Sequence, residues 1–144
     1  MTPVAFYLYA DDKVIYTCRL LRKAVAKDAK LVVTGPPSTL ETLDQILWTF
    51  SATDFVPHCD DLAPRNVRQR TPVLLSQSVQ SDARERILIN LGTSVPDYFD
   101  QFQRVIEVVT DDDEDRLLAR QRWRDYLAQG VVPVKFDLDL KALQ

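Results

Sequence analysis

Short apolar runs alternate with segments of helical periodicity along this chain, and this alternation constrains the fold more than any other feature. The runs are rich in β-branched and aromatic residues and are short, which favours buried strands over helices. They are "PVAFYLY", "KLVVT", "PVLLS", "RILINL" and "RVIEVVT". A helical pattern follows each of the first two. Strand–helix–strand order of this kind predicts an α/β fold with a mostly parallel central sheet and helices on both faces.

The helical segments are bounded by recognisable end signals. The first spans positions 13 to 28. In the second, Ser38 followed by Glu41 predicts a capping box and a helix that runs to about Phe50. A short helix is expected in "VPDYFDQF". The last helix is predicted at positions 111 to 130. Its five acids lie in the first turn, where the positive end of the helix dipole stabilises negative charge, and Gly130 is expected to end the helix.

Two segments lack a clear helical or strand pattern. The stretch "HCDDLAPRNVRQRT" has no apolar periodicity and is predicted to be a long loop. The tail "VVPVKFDLDL" alternates apolar and polar residues, so it is expected either to add an edge strand or to pack against the last helix.

The composition of the 144 residues is that of a globular protein, with 46% hydrophobic and 27% charged residues. We expect one domain, spanning residues 1–144. No apolar run approaches the length that crosses a bilayer, and the start lacks a basic region followed by an apolar one. A cytoplasmic location is therefore expected, where Cys18 and Cys59 would remain reduced thiols.

Glycine and histidine are scarce, and this scarcity bears on cofactors. The glycines are Gly35, Gly92 and Gly130, which are far apart, whereas a phosphate-binding loop needs several glycines in a short span. His58, the one histidine, is followed by Cys59 and two aspartates, but zinc sites normally draw on more Cys and His residues. We expect no cofactor, no metal site and no catalytic pair.

An arginine stripe runs along the last helix. Arg116, Arg120 and Arg124 recur every four residues, which places three guanidinium groups on one helical face beside Trp123. Composition favours an ordinary solvated face, because charged residues are mostly exposed in globular proteins and exposed ion pairs add little to stability. The functional interpretation is a cationic groove with an aromatic edge, which suits an acidic peptide that carries an apolar end.

Two further features each allow a structural and a functional interpretation. Arg65, Arg68 and Arg70, on the predicted long loop, are either solvated or contacts for a nucleic-acid backbone or an acidic partner. Phe55 lies between polar residues and a proline, just past a predicted helix end. Its ring is either packed under the loop or exposed for a partner.

Four stretches resemble, in order and spacing, the chi subunit family of bacterial DNA polymerase III. They are "FYLY", "LWTFSATDFVPH", "ILINLGTSVPDYFDQFQRVIEVV" and "LARQRWRDYLAQG". The resemblance covers nearly the whole chain and is weakest in the stretch after His58. It implies a Rossmann-like three-layer α/β fold without nucleotide or enzymatic activity.

The resemblance also implies an adaptor with several protein partners. Family members pair with the psi subunit, which joins them to the clamp loader of the holoenzyme. They also bind the acidic, phenylalanine-terminated C-terminal tail of the single-stranded DNA-binding protein. Pairing with a DNA-repair helicase is a related role. Contact with nucleic acid is then indirect, and no cofactor is implied.

Carried over residue by residue, the resemblance implies two binding sites. The tail site comprises Arg116, Arg120, Trp123 and Arg124. Arg116 and Arg124 stand where the family has lysine, and Trp123 stands where it has tyrosine. Arginine in place of lysine keeps the positive charge, and tryptophan in place of tyrosine keeps a large apolar ring. The interface with psi or the helicase comprises Trp48, Phe55, Val56 and Pro57.

Two other functions stay open on the residues alone. One is direct binding of single-stranded nucleic acid through Arg65, Arg68 and Arg70 together with the arginine stripe. The other is a nucleotide-binding α/β enzyme whose ligand lies at the strand ends, against which the shortage of glycine speaks.

Overall fold

The computed structural model of the protein describes residues 2–49, 55–77 and 85–138, and within them seven strands form one sheet. The strands are β1 Val4–Ala10, β2 Leu31–Thr34, β3 His58–Asp60, β4 Val73–Leu75, β5 Ile87–Asn90, β6 Arg104–Thr110 and β7 Val134–Asp137. The helices are α1 Lys13–Ala26, α2 Pro37–Thr49, α3 Arg65–Arg70 and α4 Asp113–Ala128, with one 3-10 turn at Phe99–Gln101.

The sheet order is β3-β4-β2-β5-β6-β1-β7, and every strand pair is parallel. The predicted α/β fold is thus confirmed, with a sheet that is wholly parallel among the described strands. None of the helices in the described ranges combines the length and the apolar character needed to span a membrane.

Successive strand residues supply two separate cores. Val33 points into the core that α1 and α2 cover, where Leu21 and Leu43 are fully buried. Its neighbour Val32 points into the core on the other face, where Tyr126 of α4 is fully buried. This alternation follows from the period-two geometry of a strand, and it produces the Rossmann-like arrangement of three layers.

The predicted long loop after His58 is wrong. The stretch contains the edge strand β3 and the short helix α3, so Arg65, Arg68 and Arg70 lie on a helix. Both elements are short and neither contains a buried residue, so no apolar period marks them in the sequence.

A buried arginine holds α3 against the end of the sheet. The guanidinium of Arg86 donates hydrogen bonds to four backbone carbonyls at 2.9–3.2 Å, and burial lowers its pKa. The four acceptors are the carbonyls of Leu31, Arg68, Thr71 and Pro72.

One predicted helix boundary needs correction. Helix α2 begins at Pro37 rather than after a capping Ser38, because Leu40 N–H already donates to the carbonyl of Pro36. Proline suits a first helical position, since its φ is preset and its missing N–H has no intrahelical acceptor there. The predicted helix end at Phe50 lies outside the described residues.

Two further predictions concern short elements near the C-terminal half. The segment "VPDYFDQF" forms only the 3-10 turn at Phe99–Gln101, preceded by Tyr98 in the left-handed region. The tail adds the edge strand β7, one of the two expected outcomes. The part of that tail beyond position 138 lies outside the described residues.

A buried polar network joins β6 to α4. The Glu107 carboxylate, fully buried, accepts hydrogen bonds from Arg122 Nε at 2.9 Å and Tyr126 Oη at 2.7 Å, and Asn90 Nδ2 lies 3.0 Å from both of its oxygens. Burial raises the pKa of Glu107 and that of Tyr126. The terminal guanidinium nitrogens of Arg122 have no hydrogen-bond partner among the described residues.

We expect Glu107→Leu or Arg122→Met alone to lower the free energy of unfolding by about 3–5 kcal/mol, because either change leaves the opposite charge buried without its partner. The paired replacement Glu107→Leu with Arg122→Met should cost less than the sum of the single changes. Urea unfolding followed by circular dichroism measures all three variants. Additive losses would show that the two side chains do not act as a pair.

Candidate functional site

Helix α4, which carries the arginine stripe, begins at a tightly bonded N-terminus. The carboxylate of Asp112 accepts a hydrogen bond from Asp115 N–H at 3.0 Å, which satisfies a free donor of the first turn. Asp115 in turn accepts from Thr110 N–H and from Lys13 Nζ, both at 2.8 Å. Burial alone would raise the pKa of Asp115, but the bonds from Lys13 and Thr110 outweigh it and lower the pKa.

The C-terminus of α4 ends where the sequence predicted. Gly130 has φ +84°, a conformation that suits glycine, and its N–H donates to the carbonyl of Leu127. Val131 N–H donates to the carbonyl of Tyr126, so the two bonds form a Schellman motif. The helix is therefore fixed at both ends, and its outward face is presented in one orientation.

A cavity of about 360 Å³ lies between α4 and the strands beneath it, and we call it the α4 groove. Its floor is apolar and consists of Phe6, Leu8, Val109 and Ala119. Ala119 carries only a methyl group where α4 faces the sheet, and this small side chain leaves room for the cavity. The volume falls at the lower end of the range for ligand pockets.

The rim of the α4 groove is cationic. Arg120, Arg124 and Lys135 are exposed and Arg116 is half-buried, and all four line the groove. Within the described residues none of the four forms a salt bridge with an acidic side chain. The rim therefore offers positive charge that the described part of the protein leaves uncompensated.

Trp123 forms an aromatic wall of the α4 groove. Its indole is half-buried and packs on the ring of Phe6, with centroids 5.1 Å apart and planes inclined by 54°. The structure thus brings together all four residues of the predicted tail site, and it adds an apolar floor that comes mainly from strands β1 and β6.

Sequence reasoning missed the strand side of the groove. Tyr9 and Lys135 line it from β1 and β7, more than a hundred positions apart in the chain. Only strand pairing brings them together, since Lys135 pairs with Phe6 in the parallel register. The alternation of apolar and polar residues in the C-terminal tail indicated a possible edge strand, but it did not indicate which strand would pair with it.

A second candidate surface lies at the opposite edge of the sheet, and we call it the aromatic patch. Trp48 is 61% exposed and Phe55 is 50% exposed, with ring centroids 5.2 Å apart. Pro57 is exposed beside them. Val56, by contrast, is 2% exposed and belongs to the core, so it supports the patch from within and is not a direct contact.

His58 lies beneath the aromatic patch. Its ring centroid is 5.1 Å from that of Trp48 and 5.8 Å from that of Phe55. Nδ1 lies 2.8 Å from the carbonyl of Val56, and Nε2 lies 3.0 Å from the carboxylate of Asp44. His58 therefore supports the exposed rings from below, and it does so from strand β3 rather than from the long loop predicted for this stretch.

The turn after β2, where related folds hold a phosphate, is built for close packing. A Cβ on Gly35 would lie 3.1 Å from Cβ of Leu91, so the glycine permits the approach of two backbone segments. Pro36 and Pro37 follow it and offer no N–H donors. The described residues contain no group of three or more His, Cys, Asp or Glu side chains placed to hold a metal.

Comparison with known proteins identifies relatives over most of the chain. The sequence model of the family described as "DNA polymerase III chi subunit, HolC" matches residues 1–133. DNA polymerase III subunit chi of Escherichia coli (strain K12) is 37% identical over 140 residues, which cover 90% of this chain and 94% of that protein. The subunit chi of Pseudomonas aeruginosa is 31% identical over 135 residues, 90% of this chain and 92% of that protein.

The Lys13–Asp115 contact predicts a pH dependence of stability. The folded-state pKa of Asp115 lies below its unfolded value of about 3.9. Its contribution is therefore present above that value and is lost as the pH falls through the folded-state pKa.

We expect Lys13→Met to lower stability at pH 7 and to reduce the further loss between pH 5 and 2, roughly the interval over which such carboxylates titrate. Thermal unfolding across this interval measures the effect, with Lys23→Met, an exposed lysine on the same helix, as the control. Parallel pH profiles for wild type and Lys13→Met would contradict the expectation.

Proposed function

The chain belongs to the DNA polymerase III chi subunit family, and we propose that it acts in DNA replication as a non-catalytic, single-domain adaptor. The α4 groove binds the acidic C-terminal tail of the single-stranded DNA-binding protein. The aromatic patch binds the psi subunit, which links the adaptor to the clamp loader. The observation that carries this proposal is the set of cations that borders an apolar floor and forms no salt bridge within the described residues.

The chemistry of the α4 groove matches an acidic peptide that ends in phenylalanine. Guanidinium groups donate paired hydrogen bonds to carboxylates, so Arg120 and Arg124 are suited to the aspartates and the terminal carboxylate. The terminal phenyl ring enters the cavity beside Trp123, over the floor that Phe6 forms. Binding forms and breaks no covalent bond, which accords with an adaptor.

The expected affinity is modest. Exposed ion pairs contribute little individually and are screened by salt, so the free energy of binding comes from several pairs together with one apolar anchor. We expect a Kd in the micromolar range, about −8 kcal/mol. Such binding permits rapid exchange of the tail.

The aromatic patch has the character of a protein interface. Exposed tryptophan and phenylalanine rings in contact with each other form the type of apolar anchor that dominates binding energy at interfaces. Trp48, Phe55 and Pro57 make the direct contacts with psi, and buried Val56 supports them. A DNA-repair helicase is the alternative partner for the same patch.

Titration of a fluorescent tail peptide tests the α4 groove. We expect Arg120→Ala to weaken binding about two- to fivefold and Trp123→Ala about tenfold or more, because the second change removes the apolar wall. Amidation of the peptide C-terminus should also weaken binding. Arg104→Ala, an exposed arginine at the other end of the strands, is the matched control.

Unchanged affinity in both Arg120→Ala and Trp123→Ala would place the tail site elsewhere. Tight binding of bare single-stranded DNA by the wild type, abolished by the same two variants, would instead indicate a site for nucleic acid.

Titration with purified psi tests the aromatic patch. We expect Trp48→Ala and Phe55→Ala each to weaken psi binding at least tenfold while leaving the tail affinity unchanged. Val67→Ala, an exposed apolar residue on α3, is the control. Loss of psi binding in Arg120→Ala, with none in Phe55→Ala, would reverse the assignment of the two surfaces. The same variants, titrated with the helicase, test whether it shares the patch.

A further inference from the structure

The α4 groove has a strand-side wall as well as a helix-side wall. Lys135 lies on the edge strand β7 and pairs in register with Phe6 of β1. Its side chain lines the groove together with Phe6 and Leu8, whose side chains form the floor. The arginine stripe borders the same floor from α4. The apolar floor therefore lies between cations that come from two different elements.

Lys135 has the environment of a binding residue. It is exposed, it borders an apolar cavity, and it forms no ion pair within residues 2–49, 55–77 and 85–138. Arg120 and Arg124 share these properties. A ligand with acidic groups flanking its apolar anchor would meet positive charge on both sides of the floor.

Tyr9 reaches the groove through an irregularity of β1. The residue has φ +66°, and the pairing of β1 with β6 shifts register between Tyr7 and Ala10. Bulges of this kind redirect a side chain, and left-handed backbone at a bulky residue persists only where its surroundings impose it. Here Tyr9 meets Arg116, whose Cζ lies 5.2 Å from the ring centroid and whose guanidinium lies 3.4 Å from the hydroxyl.

We propose that the strand-side wall is the second half of the tail site, with Lys135 as a fourth cation that contacts a tail carboxylate and Tyr9 as a positioning residue for Arg116. This inference rests on the proposed function of the α4 groove. A guanidinium already held against a ring loses less conformational freedom when the tail binds, which favours association. The bound tail is then held from helix and strand at once.

Substitutions of Lys135 test the fourth cation. Lys135→Met keeps most of the aliphatic stem and removes the charge, so we expect the tail peptide to bind two- to fivefold more weakly at low salt. The difference should disappear near 1 M salt, where charges are screened within about 3 Å. Lys135→Arg should bind within twofold of wild type. Lys30→Met, an exposed lysine at the opposite ends of the strands, is the control.

A double-mutant cycle tests the role of Tyr9. Tyr9→Leu should weaken tail binding in the wild-type background and have no further effect when Arg116→Ala is present. Tyr9→Phe, which keeps the ring, should retain most of the affinity. Equal losses from Tyr9→Leu in both backgrounds would overturn the positioning role. Thermal unfolding identifies a Tyr9→Leu variant that fails to fold, in which case Tyr9→Met replaces it in the same cycle.

Failure of this inference is distinguishable from failure of the proposed function. If Lys135→Met and Tyr9→Leu both bind as wild type at low salt while Arg120→Ala and Trp123→Ala bind weakly, the strand-side wall is not part of the site and the adaptor function stands. If all four variants bind as wild type, both proposals fail.

Discussion

The buried ion pair between Glu107 and Arg122 determines how α4 is oriented on the sheet. Arg122 points inward and donates a hydrogen bond to the buried carboxylate of Glu107. Rotation of the helix about its axis would break this contact. At 100° per residue, the inward direction of Arg122 and Tyr126 turns Arg120 and Trp123 towards the groove. A charge inside the core thus fixes the positions of the charges outside it. Hydrogen bonds at both ends of α4 fix where the helix begins and ends.

The architecture separates the two proposed interfaces. The α4 groove lies against β1 and β7 at one edge of the sheet, whereas the aromatic patch precedes β3 at the other edge. Strands in a sheet are about 4.8 Å apart, so the two edge strands are roughly 25–30 Å apart. The groove is cationic with an apolar floor, and the patch is aromatic, so they suit chemically different partners. An adaptor needs this combination, since it must hold two partners at once without either displacing the other.

Local sequence signals predicted the parts of the fold that depend on neighbours in the chain. The apolar runs, the stripe of Arg116, Arg120 and Arg124, and the glycine stop of α4 are of this kind. Elements that depend on distant pairing were missed: β3 and α3 have no apolar period of their own, and Lys135 acquires its place only through pairing with Phe6. The resemblance located both candidate surfaces, yet only burial separates Val56 from its exposed neighbours.

Chemical-shift mapping shows where the tail peptide binds on the protein. Titration of ¹⁵N-labelled protein with the phenylalanine-terminated acidic tail peptide reports contacts at every backbone amide without any substitution. We expect the largest shifts along α4 from Arg116 to Arg124, at the C-terminal end of β1 and around Lys135, with little change near Phe55. Shifts concentrated at the aromatic patch or on α3, with α4 unaffected, would show that the tail does not bind in the α4 groove.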